Sequence, residues 1–225
     1  MKLSEWTVDI LKSFSGINSS IRLTPGKRLS TINATETVIA VAEIPEEFEE
    51  NHAIYQLPQF INVLGLFDGE CEMDFRPEYV AISGSGKKLR YGFCNEALIS
   101  LPPEENVEFP TDDMVEFELP NNTLKSIKKA ISMLTLPSIA FIGEDGIIKI
   151  STDGETEDDN FFSIDIGETN KSFKFITKPE CLSFFPGDYK VRISMEGIAE
   201  FVMKNIHTGQ RITYWVIAEK ESAFD

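Results

Sequence analysis

Ala53-Ile54-Tyr55-Gln56-Leu57-Pro58-Gln59-Phe60 and Lys174-Phe175-Ile176-Thr177-Lys178-Pro179-Glu180-Cys181 stand 121 positions apart and share one pattern: two apolar residues, a short link, then Pro, Gln or Glu, and an apolar residue. A repeat at fixed separation changes the reading of the whole chain, because each copy then specifies the same unit. The same shift sets Tyr79-Val80-Ala81-Ile82 over Glu200-Phe201-Val202-Met203 and Arg90 over Arg211, each within a strand–turn–strand pattern. The turns, Ser83-Gly84-Ser85-Gly86 and Asn205 to Gly209, have hairpin composition. Upstream, Thr7-Val8-Asp9-Ile10-Leu11-Lys12 is similar to Thr123-Leu124-Lys125-Ser126-Ile127-Lys128. Four blocks in one order read as two copies of one fold.

Each copy reads as a helix, three strands, a second helix and about three more strands, an α+β arrangement. In the first copy the pattern predicts a helix over 4–14 with Ser4 as N-cap and strands over 20–23, 28–33 and 37–44. A strand over 52–56, a helix opened by Pro58 and strands over 70–75, 79–83 and 88–94 follow. In the second copy it predicts a helix over 122–134 and strands over 138–142, 147–152, 160–166 and 172–177. A short helix opened by Pro179 and strands over 189–195, 199–205 and 211–219 complete it. The intervening stretch from Ser100 to Pro110 holds Pro102, Pro103 and Pro110 without a helical period, so it reads as an extended connector. The expected division is a first domain over 1–99, a connector over 100–115 and a second domain over 116–225.

Seventeen Phe and a hydrophobic share of 42% exclude disorder of the whole chain. No run approaches the ~20 apolar residues that cross a bilayer, and Met1-Lys2-Leu3-Ser4-Glu5-Trp6 lacks the apolar stretch of a secretory signal, so a cytosolic chain without membrane contact is expected. Cys71, Cys94 and Cys181 form no Cys-x-x-Cys pair and read as small buried hydrophobes. His52 and His207 lack partners at ligand spacing, and the acidic turn from Asp153 to Asp159 lacks the ligand order of a calcium loop. Ser83-Gly84-Ser85-Gly86-Lys87-Lys88 lacks the spacing of a phosphate loop. No catalytic residue, metal or cofactor is expected.

The charge distribution is more informative than its sum. With Lys+Arg 21 against Asp+Glu 37 the net charge is -16, which argues against an ordinary basic nucleic-acid binder. Yet Leu119 to Gly143 contains no acid and holds Lys125, Lys128 and Lys129. On a helical wheel Leu124, Ile127, Ile131 and Leu134 share one side, and the three lysines with Ser132 share another, pointing away from the core. The window from Ile10 to Thr35 is also free of acids and carries Lys12, Arg22, Lys27 and Arg28, while Thr169–Pro179 carries Lys171, Lys174 and Lys178. Acids crowd at Glu43 to Glu50 and at Asp153 to Asp159. A polarised molecule follows, with one surface that attracts a polyanion.

Taken with the Met1-Lys2-Leu3-Ser4 opening, Ile17-Asn18-Ser19, the His52-Ala53-Ile54-Tyr55-Gln56-Leu57 segment, Phe109-Pro110, Phe173-Lys174-Phe175-Ile176 and Pro186-Gly187-Asp188-Tyr189-Lys190, the pattern resembles the T-even-type bacteriophage sliding clamps over essentially the whole chain. These are processivity factors of phage replicative DNA polymerases. The resemblance implies a ring of three identical subunits, each of two similar domains, with helices lining the hole and sheets outside. It places Lys2, Lys12, Lys125, Lys128, Lys129 and Lys178 toward duplex DNA, held without sequence specificity. The helix opened by Pro58 has no Lys or Arg, so that part of the wall is expected to be weak.

By the same layout the ring closes through edge strands, with Leu89, Tyr91 and Phe93 meeting Phe161, Phe162 and Ile164 of the neighbouring subunit. Burial of Tyr91, Phe161 and Phe162 inside their own domain is the alternative at each of those positions. Leu101, Val107, Phe109, Phe185 and Pro186 are candidates for a pocket that takes the tails of partner proteins, with simple packing as the alternative. The implied partners are the replicative polymerase and an ATP-driven clamp loader, with late-transcription factors as further candidates. The implied setting is the cytoplasm of an infected bacterium. Two other readings stay open: an acidic β-rich viral interaction or assembly protein that encircles no DNA, and a metal-dependent enzyme built on the acidic clusters.

Overall fold

Ser4 lies in extended backbone, and its hydroxyl accepts the Thr7 N–H at 3.2 Å, so α1 (Glu5–Ser15) begins where capping chemistry places it. Thr7, Ile10, Leu11 and Phe14 recur at helical spacing and are all buried. The computed structural model describes residues 1–67, 71–104, 107–152, 160–204 and 210–224. It divides into two units, Met1–Glu104 with Ile206–Ile212 and Glu105–Asn205 with Thr213–Asp225.

In the first unit α1 leads to β1 (Ile21–Leu23), β2 (Gly26–Ile32), β3 (Val38–Phe48) and β4 (His52–Ile54). α2 (Leu57–Gly65), β5 (Glu72–Arg76), β6 (Tyr79–Gly84) and β7 (Lys87–Gly92) follow. The strands form a run β4-β1-β2-β3 and a three-stranded sheet β5-β6-β7, antiparallel throughout. α1 packs on α2 and on β3. Met1 adds to β5: its ammonium donates to the Met73 carbonyl at 2.8 Å, and the Met73 N–H donates back at 2.8 Å.

β3 runs through Pro45 to Phe48, four residues beyond the end at 44 that the sequence pattern predicts. A register shift between Gly26 and Arg28 leaves Pro45 unpaired, and Gly26 at φ 101 supplies the turn of the partner strand. The bulged segment has a use. The Glu46 carboxylate accepts the Ser4 N–H and the Thr7 hydroxyl, placing negative charge at the positive end of α1. Part of the acidic run thus serves as a helix cap. His52 is buried between Phe93 and Phe75, at ring distances of 4.6 and 5.2 Å. Burial lowers its pKa, opposed by the charge of Glu50.

The second unit contains β8 (Met114–Leu119), α3 (Asn121–Leu134), β9 (Ile139–Glu144), β10 (Ile147–Thr152), β11 (Ser163–Glu168) and β12 (Phe173–Thr177). A 3-10 turn at Pro179–Leu182, β13 (Tyr189–Ser194), β14 (Ile198–Met203), β15 (Arg211–Ile217) and β16 (Ala223–Phe224) complete it. β12-β9-β10-β11 repeats the order β4-β1-β2-β3 of the first unit, with β16 added beside β12. β8-β13-β14-β15 likewise repeats Met1 with β5-β6-β7. Ser85-Gly86 and Asp145-Gly146, all at positive φ, close the hairpins β6-β7 and β9-β10. Ser83 to Lys88 is therefore an ordinary hairpin.

Aromatic packing forms the core of this unit. Phe141 stands 6.0 to 6.2 Å from Phe117, Phe175 and Phe201, and Phe184 lies 4.4 Å from Tyr214. Arg192 and Glu200 face each other across β13 and β14, joined at 2.8 Å through Nε, with the Arg192 guanidinium 4.7 Å from the Phe109 ring. All three cysteines are free; Cys71 and Cys181 are buried and Cys94 half-buried. No helix among the described residues is long and apolar enough to cross a membrane. The acidic turn at 153–159, the turn at 205–209 with His207, and the start of the strand expected from 70 lie outside the described residues.

Candidate nucleic-acid interface

Burial of Leu124, Ile127 and Ala130 fixes which way α3 faces. On its opposite side Lys125 and Lys129 are exposed one turn apart, beside Ser126 and Ser132. No carboxylate in the stretch from Leu119 to Gly143 offsets them, and neither has an ion-pair partner among the described residues. Two ammonium groups of this kind are suited to phosphates and carry no base-reading geometry.

Lys128 corrects the expectation that all three lysines point away from the core. It is half-buried, and its Nζ donates to the Phe184 carbonyl at 2.7 Å. Burial lowers its pKa. The helical angle explains the difference: Lys128 stands about 40° from Leu124, against about 100° for Lys125, so its stem lies along the apolar border. Its head closes an open carbonyl after the 3-10 turn, and it belongs to packing.

The remaining cations divide the same way. Lys2 and Lys12 are exposed in the first unit, but Lys12 is 2.8 Å from Asp9 and Glu5 is exposed on the same helix, so that face is mixed. α2 exposes Pro58, Gln59 and Asn62 and carries no charge. Arg22 is taken up by Glu96 at 3.2 Å and Glu104 at 3.6 Å. In the second unit Lys178 is exposed just before the 3-10 turn, while Lys171 is paired with Asp113. The carboxylates beside Lys12, Arg22 and Lys171 lie at or beyond the edges of the acid-free windows, where counting within a window misses them.

The strands expected to close an assembly are edges. β7 pairs only with β6 and β11 only with β10 among the described residues. Phe161, before β11, is 73% exposed; Phe162 and Ile164 are half-buried, and Phe162 accepts the Thr152 N–H at 2.9 Å. On the other edge the aromatic side chains have contacts within their own unit. Tyr91 lies edge-on to Phe60 at 5.2 Å with its hydroxyl on the Gln56 carbonyl at 3.1 Å, and Phe93 stacks on His52. Both are used inside the first unit; Leu89, half-buried, lines a cavity of about 420 Å³ with Met73 and Ile82.

Of the residues expected to take partner tails, Phe109 lies under Arg192. Phe185 is held through its backbone, its N–H on the Tyr214 hydroxyl at 2.9 Å and its carbonyl taking the Tyr189 hydroxyl at 2.5 Å. Leu101 and Val107 are half-buried, and Pro186 is exposed. Phe109 and the Phe185 backbone are thus engaged within the second unit. Among the described residues no cluster of three His, Cys, Asp or Glu side chains is placed to hold a metal ion.

Residues 2–72 match the model of the DNA polymerase processivity factor family, and residues 116–219 match that of the gp45 sliding clamp, C terminal. The sliding clamp of Vibrio phage KVP40 is 34% identical over 97% of this chain and 99% of its own length. That of Escherichia phage RB69 is 26% identical over the full length of both. Among solved structures the PCNA2–PCNA3 complex of Sulfolobus tokodaii aligns with TM-score 0.69 at 15% identity, covering 96% of each chain, a likeness of fold. These matches favour the processivity reading over that of an acidic viral assembly protein. With the duplicated helix-and-sheet unit and the cationic face of α3, they establish that the chain belongs to the phage sliding-clamp family of DNA polymerase processivity factors.

Proposed function

We propose that three copies of this chain close a ring around duplex DNA and tether the replicative polymerase to it, without performing chemistry. The observation that carries this is the contrast between a net charge of -16 and the acid-free, exposed Lys125 and Lys129 of α3. Duplex DNA carries one negative charge per ~1.7 Å of axis, so such a face balances phosphates at every position along it and selects none. The acidic remainder of the surface repels DNA, and retention comes from enclosure. Lys2, Lys12 and Lys178 supplement the inner wall, with Lys12 weakened by Asp9. An ATP-driven loader and late-transcription factors are the further partners on this reading, and its setting is the cytoplasm of an infected bacterium.

Sedimentation of the chain across dilution tests the assembly. A trimer that gives way to monomers on dilution is expected, and Phe161→Asp, at an exposed position, should move that transition to higher concentration while leaving the melting midpoint unchanged. A monomer at every concentration, or a dimer, overturns the ring.

A further inference from the structure

The free edges of β7 and β11 have opposite charge. β7, Lys87-Lys88-Leu89-Arg90-Tyr91-Gly92, carries three cations and no acid; β11, Ser163-Ile164-Asp165-Ile166-Gly167-Glu168, carries two acids and no cation. Their faces match as well. Lys88 and Arg90 are exposed and alternate with half-buried Leu89 and Tyr91, while exposed Ser163 and Asp165 alternate with half-buried Ile164. Arg90 is held with its guanidinium carbon 3.6 Å from the centre of the Tyr79 ring. Asp165 stands opposite Lys149 on β10, but the Lys149 ammonium is 3.0 Å from Glu144, leaving Asp165 without an ion pair among the described residues.

We propose that these charges encode a head-to-tail contact between copies, with Arg90 of one subunit against Asp165 of the partner subunit. This rests on the ring reading and adds what selects the pairing. If Tyr91 lies opposite Ile164 of the partner subunit, an antiparallel ladder puts Arg90 opposite Asp165 and Gly92 opposite Ser163. A parallel ladder puts Arg90 opposite Ser163 and leaves both charges unmatched. The matched stretch is short: Ile166 is the extra residue of a bulge, since Gly167 pairs with Ile148 and Asp165 with Lys149. Two β7 edges, or two β11 edges, would set like charges against each other. Self-complementary dimers are thereby disfavoured, and the heterologous contact that remains is the kind that can close a ring. A contact selected by surface charge weakens as salt rises, so ring opening is tuned by ionic strength.

The experiment measures the trimer–monomer transition by sedimentation at about 50 and about 500 mM salt for the unaltered chain, Arg90→Glu, Asp165→Arg and the variant carrying both. Each single reversal should raise the concentration needed for assembly by about tenfold at low salt, and the double reversal should restore it. Salt should weaken the unaltered chain and, by screening the like charges now opposed, strengthen the single variants. Asp165→Arg carries the test independently of any loss of Arg90 packing on Tyr79. A double variant no better than the single ones, with the unaltered chain still trimeric, overturns the charge pairing and leaves the ring standing. A monomeric unaltered chain at both salt concentrations overturns both.

Discussion

Lys125→Glu together with Lys129→Glu is expected to shorten polymerase products and the residence of the loaded clamp by at least about tenfold, with assembly mass and melting midpoint unchanged. Both side chains leave the exposed side of α3, so their replacement removes no buried surface. What changes is electrostatic. On the proposed ring, a face suited to phosphate becomes one that repels it, once in each copy. Lys128→Met separates charge from packing: it removes an ammonium already directed to the Phe184 carbonyl and should leave product length near the unaltered value. Lys12→Glu should have a smaller effect than the α3 pair, because Asp9 already offsets that charge. Primer extension with the polymerase and loader of the same replication system, at fixed salt, measures all three. Unchanged products from the α3 double variant would remove that face from DNA contact.

Arg192→Met is expected to destabilise the second unit by about 3 kcal/mol, because it strands the Glu200 carboxylate, only 6% exposed, without its counter-charge. It also removes the cation from the Phe109 ring, adding to the loss. A fall of roughly 10 °C in the melting midpoint follows for a chain of this size. Replacing both partners, Arg192→Met with Glu200→Leu, should recover most of the loss, since an apolar pair leaves no buried charge unmatched. Thermal melts followed by near-ultraviolet circular dichroism would show this. Equal losses in the single and double variants would mean that apolar packing, and not the ion pair, holds β13 to β14 there.

The duplication was legible because its signals are local. Hairpin dipeptides, a proline at the start of a helix and two apolar periods recur in order, and the two units share a strand order. β8 was missed although Val115, Phe117 and Leu119 alternate with Glu116 and Glu118, since its counterpart in the first copy is only the few residues around Met1. The second short helix shrank to a 3-10 turn because Phe184 is drawn into the aromatic core and Pro186-Gly187 follows closely. Lys125 and Lys129 could be placed from the helical wheel alone, and Lys128 could have been set apart by its angle. The pairing of Lys12 with Asp9 and the capping of α1 by Glu46 depend on side-chain geometry and on contacts across 42 positions that no pattern along the chain displays.

Retention by enclosure is measured by loading the clamp onto closed circular DNA with ATP and a clamp loader, then comparing its recovery with the DNA before and after linearisation at one fixed ionic strength. Co-elution with the circle and release from the linear form is the predicted result. Equal recovery on both forms would mean that surface attraction, and not enclosure, holds the protein to DNA.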